Sequence, residues 1–358
     1  MDRIIGLMDL DYFYAQCEIL RKPKIKGKPV VIVMPSLREG GGAVATCNYE
    51  ARALRIKSGM PLSLAKKLSN SETVFINADK PYYLEMSQKV FGILDFFCEK
   101  VEQVSVDEAY FDLTNPEGFE KAEEICLKIK QRIFSQLGLT CSIGLSTNKL
   151  LSKMAASEKK PNGFFVVRSE EVDSFLLKHS VKDLFGVGPK TEELLRKNGV
   201  LSISDARNHE KKFFVELLGN SSGAKLFEFI FGIDDREVKP NREKQQLSRM
   251  MTMKEDSRDF EFIMQSVNFL AEMLYKEINL LKKKFKTVSL IIVNERMETI
   301  TKSKTCVQAV SSFDELVLVE SELLKSFLSE SRSMVRRVGV RVSNFDSEFG
   351  LQRKLSEF

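Results

Sequence analysis

Tryptophan is absent from the chain and histidine nearly so, with only His179 and His209 in 358 residues. Phenylalanine, at 26 copies, must therefore supply most of the aromatic core. The six cysteines (Cys17, Cys47, Cys98, Cys126, Cys141 and Cys306) are scattered without a CxxC pair, and two isolated histidines do not complete a zinc site with them. The cysteines read as reduced thiols of an intracellular protein. No apolar run approaches the roughly 20 residues of a membrane helix. The opening MDRIIGLMDLDYF carries Asp2, Arg3 and Asp9 around a very short apolar stretch, which suits neither a signal peptide nor a span. An intracellular, cytoplasmic protein without membrane contact is expected. Nor does one sign of charge dominate: 55 Lys and Arg face 50 Asp and Glu, a net +5 that permits a polyanionic partner without requiring one. No low-complexity tract occurs.

What is present is a chain long enough for two to four domains, 43% hydrophobic and 29% charged. IIGLMDL (4–10) reads as a strand ending in Asp9 and Asp11. VVIVM, a Gly-rich connection at Gly40 to Gly42, the strand AVATCN and a short helix from NYEARAL follow. After them come a helix over PYYLEMSQKVFGILDFFCEK, the stretch VSVDEAYFDL (104–113) within a hairpin, a helix over FEKAEEICLKIKQRIF, a strand TCSIGLS and a helix NKLLSKMAASE. Residues 1–12 and 78–168 thus alternate as a βαββαβ sheet, with 13–77 as an insertion. Residues 169–233 read as helical, with Gly-rich breaks at FGVGP and KNG. The charged, Pro-containing 234–246 reads as an exposed linker. Residues 247–345 repeat β-α-β-β-α-β, with Ser312 and Glu315 as a capping box on the second helix. The fold class is α+β and multidomain.

VSVDEAYFDL places Asp107 and Glu108 inside an apolar, strand-forming run. Neighbours on a regular strand point to opposite faces, so the pair can act together only at or beside a hairpin tip. Asp9 and Asp11 close another strand of the same sheet. Three or four converging carboxylates repel one another and are normally kept ionised by a hard divalent cation, and two such ions are the machinery of nucleotidyl transfer.

At these residues the chain closely resembles the Y-family translesion DNA polymerases of the DinB (DNA polymerase IV) type, archaeal ones in particular. The motifs are MDLDYFYAQCE (8–18), GKPVVI (27–32), AVATCNYEARALRIKSGMP (43–61), VSVDEAYFDL, GLSTNKLLSKMAA (144–156), KPNG (160–163) and FGVGPKT (185–191), in the family's order and spacing. The resemblance implies a right-hand polymerase. Its palm is 1–12 and 78–168, its fingers 13–77, its thumb 169–233 with a helix-hairpin-helix, its linker 234–246 and its little finger 247–345, with a tail at 346–358. It implies a DNA-directed DNA polymerase that copies primer-template DNA with dNTPs at low fidelity, past damaged bases. Asp9, Asp107 and Glu108 match the catalytic metal-binding acids, with the Leu10 carbonyl as a further ligand, for two Mg²⁺ that Mn²⁺ can replace. Asp11 is acidic enough to coordinate, but the family pattern gives it no such role. Tyr49, Arg52 and Lys160 match the triphosphate contacts and Tyr14 the steric gate against a 2′-hydroxyl. The small residues Gly42, Ala43, Val44 and Ala45 match the roof over the nascent pair.

For DNA, FGVGPKT offers Gly186, Gly188 and Lys190 at a turn opening a helix, where free N–H groups can hold phosphate. In VRRVGVRV, Val338, Val340 and Val342 share one strand face, and Arg337 and Arg341 share the other. Arg249 in LSRMMTM and Lys302 and Lys304 in TITKSKT extend that basic surface. Gln352, Leu355 and Phe358 resemble a sliding-clamp peptide with only one terminal aromatic. A monomer is expected, and no span is left for a proofreading nuclease.

Overall fold

In the computed structural model, residues 3–240 and 244–345 are described. They divide into two compact units, the first holding residues 3–33, 44–60 and 67–240, the second 34–43, 61–66 and 244–345. Among the described residues no helix is long and apolar enough to cross a membrane.

The first unit opens with β1 (Ile5–Leu10) and α1 (Phe13–Arg21), joined through Tyr12, whose φ of 35° is left-handed. Along the chain β2 (Val30–Pro35), β3 (Gly42–Cys47), α2 (Tyr49–Ala53), α3 (Leu62–Leu68, of which 62–66 fall in the second unit) and β4 (Val74–Asn77) follow, with the strands in a small sheet of order β3-β2-β4. Next come α4 (Lys80–Phe97), β5 (Lys100–Gln103), β6 (Glu108–Asp112), α5 (Gly118–Leu137), β7 (Cys141–Ser146), α6 (Lys149–Glu158) and β8 (Phe164–Val166). The main sheet has the order β5-β6-β1-β7-β8. Its first four strands are the expected βαββαβ module, to which β8 adds a parallel edge beside β7. Apolar β1 and β7 lie inside the sheet and bury nearly every residue, as strands covered on both faces must.

α6 lies against β7 because Gly144 has no side chain. A Cβ there would sit 2.1 Å from the Ser152 carbonyl oxygen and 2.2 Å from the Ala156 nitrogen, both helix backbone. Gly144→Ala must push α6 away from the sheet. It is expected to destabilise the chain by about 3 kcal/mol, overpacking of a close-packed interior with no soft neighbour to yield; an unchanged thermal midpoint would refute this.

Five short helices complete the unit: α7 (Val172–Leu176), α8 (Pro189–Lys197), α9 (Ile203–Arg207), α10 (Lys211–Leu218) and α11 (Asn220–Phe229). Their core, with Phe175, Leu195, Phe214 and Phe229, is continuous with Leu150, Leu151 and Met154 of α6. In the charged segment that follows, Asp235, Glu237, Lys239 and Pro240 are exposed, while Asp234 and Val238 are buried. Asp234, 6% exposed, accepts from the Leu150 N–H at 3.0 Å, and Val238 joins Ile5, Leu7 and Tyr110 in a small apolar cluster. Asp234 can be buried because it has Arg236 at 2.6 Å and a free helix N–H to accept from.

In the second unit β9 (Gln246–Ser257), α12 (Phe260–Leu280), β10 (Phe285–Asn294), β11 (Thr299–Val310), α13 (Phe313–Glu330) and β12 (Val335–Phe345) repeat the element order, but the sheet order is β11-β10-β12-β9. Val288, Leu290 and Ile292 of β10 and Val338, Val340 and Val342 of β12 form one buried face with α12 and α13. The capping of α13 departs slightly from the expected box: Ser312 Oγ accepts from Glu315 N, while the Glu315 carboxylate reaches back to Ser311 N at 2.8 Å instead of Ser312 N.

Candidate active site

Antiparallel register sets Asp9 of β1 directly opposite Glu108, the first residue of β6. Directly opposed residues share a sheet face, so the two carboxylates stand side by side. Asp107 is the last residue of the turn before β6. Its carbonyl accepts from the Leu10 N–H at 2.9 Å and its carboxylate from Ser105 Oγ. The adjacent acids escape strand alternation because only Glu108 belongs to the strand.

Two of the three carboxylates face an ammonium group: Lys160 Nζ lies 2.5 Å from Asp9 Oδ2, and Lys153 Nζ lies 2.5 Å from Glu108 Oε1. Burial holds the Asp9 carboxyl above its ordinary range; Lys160 pulls it down, and Asp107 and Glu108 push it further up. The three acids are thus close enough to repel, and their donors are all oxygens, a set that fits hard divalent cations. Their side chains are nevertheless turned to separate partners, and among the described residues no three acids, histidines or cysteines gather at ligating positions. Lys153 was not anticipated; its only signal was its place in GLSTNKLLSKMAA.

Beside the acids opens a cavity of about 400 Å³. Asp9, Leu10, Asp11, Tyr14, Ala45, Tyr49, Arg52, Asp107 and Lys160 are among the residues that line it. Asn48 caps α2 by accepting from Ala51 N, which presents Tyr49 and Arg52 on successive turns. The Arg52 guanidinium lies 4.7 Å from the Tyr49 ring centroid and donates to the Cys47 carbonyl at 3.2 Å. Tyr14 stacks on Tyr83 at 4.2 Å, and the Tyr83 hydroxyl donates to buried Glu18 at 3.0 Å.

The nucleic-acid residues are placed less uniformly. Gly186, with φ of +89°, and Gly188, which precedes α8, leave open space where a side chain would stand, and Lys190 is exposed on the first turn of that helix. Arg337 and Arg341 occupy the sheet face opposite the helices, in register with Thr252 and Ser248. Arg249 does not join them. It pairs in register with Val340 and its guanidinium lies 2.5 Å from Glu277 of α12, on the helix-covered side. Lys302 and Lys304 are on that side too, paired with Glu330 and Glu322 of α13. Strand alternation permits either facing; the register decides it. Gln352, Leu355 and Phe358 lie outside the described residues.

The impB/mucB/samB family matches residues 8–157, and the impB/mucB/samB family C-terminal domain matches residues 244–355. The chain is 39% identical to DNA polymerase IV of Methanosarcina acetivorans, over 99% of this chain and 97% of that one. The chain belongs to the Y family of DNA polymerases. DNA polymerase IV of Nitrosopumilus maritimus is another Y-family relative, at 37% identity over 99% of both chains. Among solved structures, a Y-family DNA polymerase chimera of Dbh and Dpo4 superposes with a TM-score of 0.89 at 31% identity, covering 95% of this chain and 98% of that one. DinB from Sulfolobus solfataricus gives 0.66 at 30% identity over the same shares. As a Y-family member of the DNA polymerase IV type, the chain is an enzyme, a DNA-directed DNA polymerase.

Proposed function

We propose that this polymerase extends primer-template DNA by in-line transfer of a deoxynucleotide from a dNTP, including opposite damaged bases. The observation that carries this reading is the cavity that sets Asp9, Asp107, Tyr49, Arg52 and Lys160 around one space, with Glu108 beside Asp9. Asp9, Asp107, Glu108 and the Leu10 carbonyl would hold two Mg²⁺, which supply activation of the primer 3′-hydroxyl and neutralise charge on departing pyrophosphate.

The chain's own groups bind and orient. Arg52 and Lys160 face the triphosphate with the Tyr49 hydroxyl, charge-assisted donors preset around the leaving group. Tyr14, backed by Tyr83, fills the space below the sugar and excludes a 2′-hydroxyl. Ala45 lines the cavity and would form part of a roof of small residues over the nascent pair, and a roof with little bulk discriminates weakly between base pairs. Low fidelity and tolerance of lesions follow.

One of the similar structures is titled an insertion ternary complex of Dbh DNA polymerase (TM-score 0.70, 31% identity). For this chain, the turn at Gly186, Gly188 and Lys190 would take duplex phosphates through backbone N–H groups, and the open face with Arg337 and Arg341 would grip the backbone without reading sequence. Arg249, held by Glu277, is left out of that contact. The palm, fingers, thumb, linker and little finger keep the ranges given above. The chain works as a monomer, held to a sliding clamp by Gln352, Leu355 and Phe358.

The test is extension of a labelled primer on an undamaged template and on one with an abasic site, with Mg²⁺ and dNTPs. Extension of both, abolished by chelation, is expected. No extension while primer-template stays bound would overturn the enzymatic reading, and extension that stops before the abasic site would overturn the lesion-tolerant one.

A further inference from the structure

Asp11 is the acid that the metal site leaves unused, and it is 1% exposed. Its Oδ1 accepts from Ser142 Oγ at 2.8 Å; its Oδ2 accepts from Thr140 Oγ1 at 2.9 Å and from the Asn162 N–H at 2.7 Å. A carboxylate that accepts three such bonds in the interior is fully employed. The last bond is the informative one. Asn162 belongs to the turn Lys160-Pro161-Asn162-Gly163, with φ of 53°, in the left-handed region. The same turn is gripped from α5, where Lys130 Nζ donates to Asn162 Oδ1 at 2.9 Å and to the Gly163 carbonyl at 3.0 Å. Gly163 N–H donates to Ser142 Oγ at 3.1 Å, closing the network. The backbone ties this turn to the sheet at its last residue, where the Ile143 N–H donates to the Gly163 carbonyl at 3.1 Å; at its left-handed asparagine these side chains hold it.

We infer that Asp11 and Lys130 are positioning residues, which clamp the 160–163 turn so that Lys160 reaches the nucleotide cavity. The inference rests on the reading of Lys160 as a triphosphate contact. It explains why Asp11, two residues from Asp9 and lining the same cavity, spends its oxygens on Thr140, Ser142 and Asn162: the strand brings Asp9 to the cavity, and Asp11 ties the turn that carries Lys160 to the same sheet end. Displacement of a preset charge by about 1 Å is enough to cost two orders of magnitude in a positioned reaction.

The experiment is single-nucleotide insertion kinetics on primer-template for Asp11→Ala, Asp11→Asn and Lys160→Ala, alone and combined. Asp11→Ala is expected to lower kcat/KM for dNTP roughly tenfold, mainly through KM, because lost binding that is equal in ground and transition states moves KM. Asp11→Asn should restore most of this loss, since one amide oxygen still accepts from Asn162 N–H while the Ser142 hydroxyl can turn to accept from the amide. In a Lys160→Ala background, Asp11→Ala should change kcat/KM less than about twofold, the non-additivity of groups acting through one another. An additive effect in that background, or no effect of Asp11→Ala alone, overturns the inference while leaving Lys160 in place. If Lys160→Ala itself leaves KM unchanged, the triphosphate reading falls, and the inference with it. Should Asp11→Ala not fold, Lys130→Met, which releases the turn from the helix side, takes its place in the cycle: a loss that vanishes beside Lys160→Ala supports the clamp, and an additive loss or none overturns it.

Discussion

Alanine at Asp107 or at Glu108 should lower the rate of primer extension by roughly 10³-fold, the loss that follows removal of one preset electrostatic group from a reaction centre. Binding of primer-template should be unchanged within experimental error. Neither side chain is tied into the core: the Asp107 carboxylate accepts from Ser105 Oγ within its turn, and the Glu108 carboxylate accepts from Lys153. Each removal also relieves repulsion at Asp9, whose carboxyl both neighbours push up. The thermal midpoint should therefore hold or rise while activity disappears, a combination that general destabilisation cannot imitate. Double replacement should cost little more than either single one, because groups that act as a unit are not additive. Residual extension within tenfold of the unmodified chain in both variants would remove the acidic pair from the reaction centre.

A second large effect lies in the C-terminal unit. Glu320 of α13 is fully buried among Leu316, Leu323 and Leu324, and neither carboxyl oxygen has a hydrogen-bond partner. Burial alone pushes its carboxyl up to about 9. The native state therefore keeps this proton at pH values where the unfolded chain, near 4.5, has released it. Stability from this group is complete below the unfolded value and falls as pH rises toward the folded one. At 1.36 kcal/mol per unit, the interval from pH 5 to pH 8 removes on the order of 4 kcal/mol. Glu320→Leu keeps similar volume, deletes the unpartnered polar atoms and should abolish that slope, making the variant more stable than the parent at pH 8 by a similar amount. Thermal unfolding of both proteins at pH 5, 6.5 and 8 checks this. Parallel pH profiles would show that Glu320 finds a partner or water in solution.

Much of the element order was legible because it depends on short-range chemistry. Apolar, strand-forming runs marked β1, β7 and β10, alternation marked β12, and helical spacing marked α4, α6, α12 and α13, the last with Ser312 at its start. The short β4 and β8 carried too few residues for periodicity and declared themselves only through parallel partners, at Val30↔Val74 and Ile143↔Phe164. The acids were legible for a similar reason: two charges in an apolar strand-forming run are costly unless something uses them.

By itself the sequence determined which residues alternate, which segments can be helices, and that Asp9 closes one strand of a βαββαβ module while Asp107 and Glu108 sit at or beside its hairpin tip. Tertiary structure alone decided the sheet orders, which differ between two units of equal element order, because pairing is chosen by long-range packing. It decided that Arg249 turns to Glu277 while Arg337 and Arg341 share the open face, since one step of register exchanges the two sides of a strand. It also decided that Asp11, indistinguishable from a ligand in the sequence, binds the Asn162 backbone, an acceptor's choice set by which donors the fold brings within 3 Å.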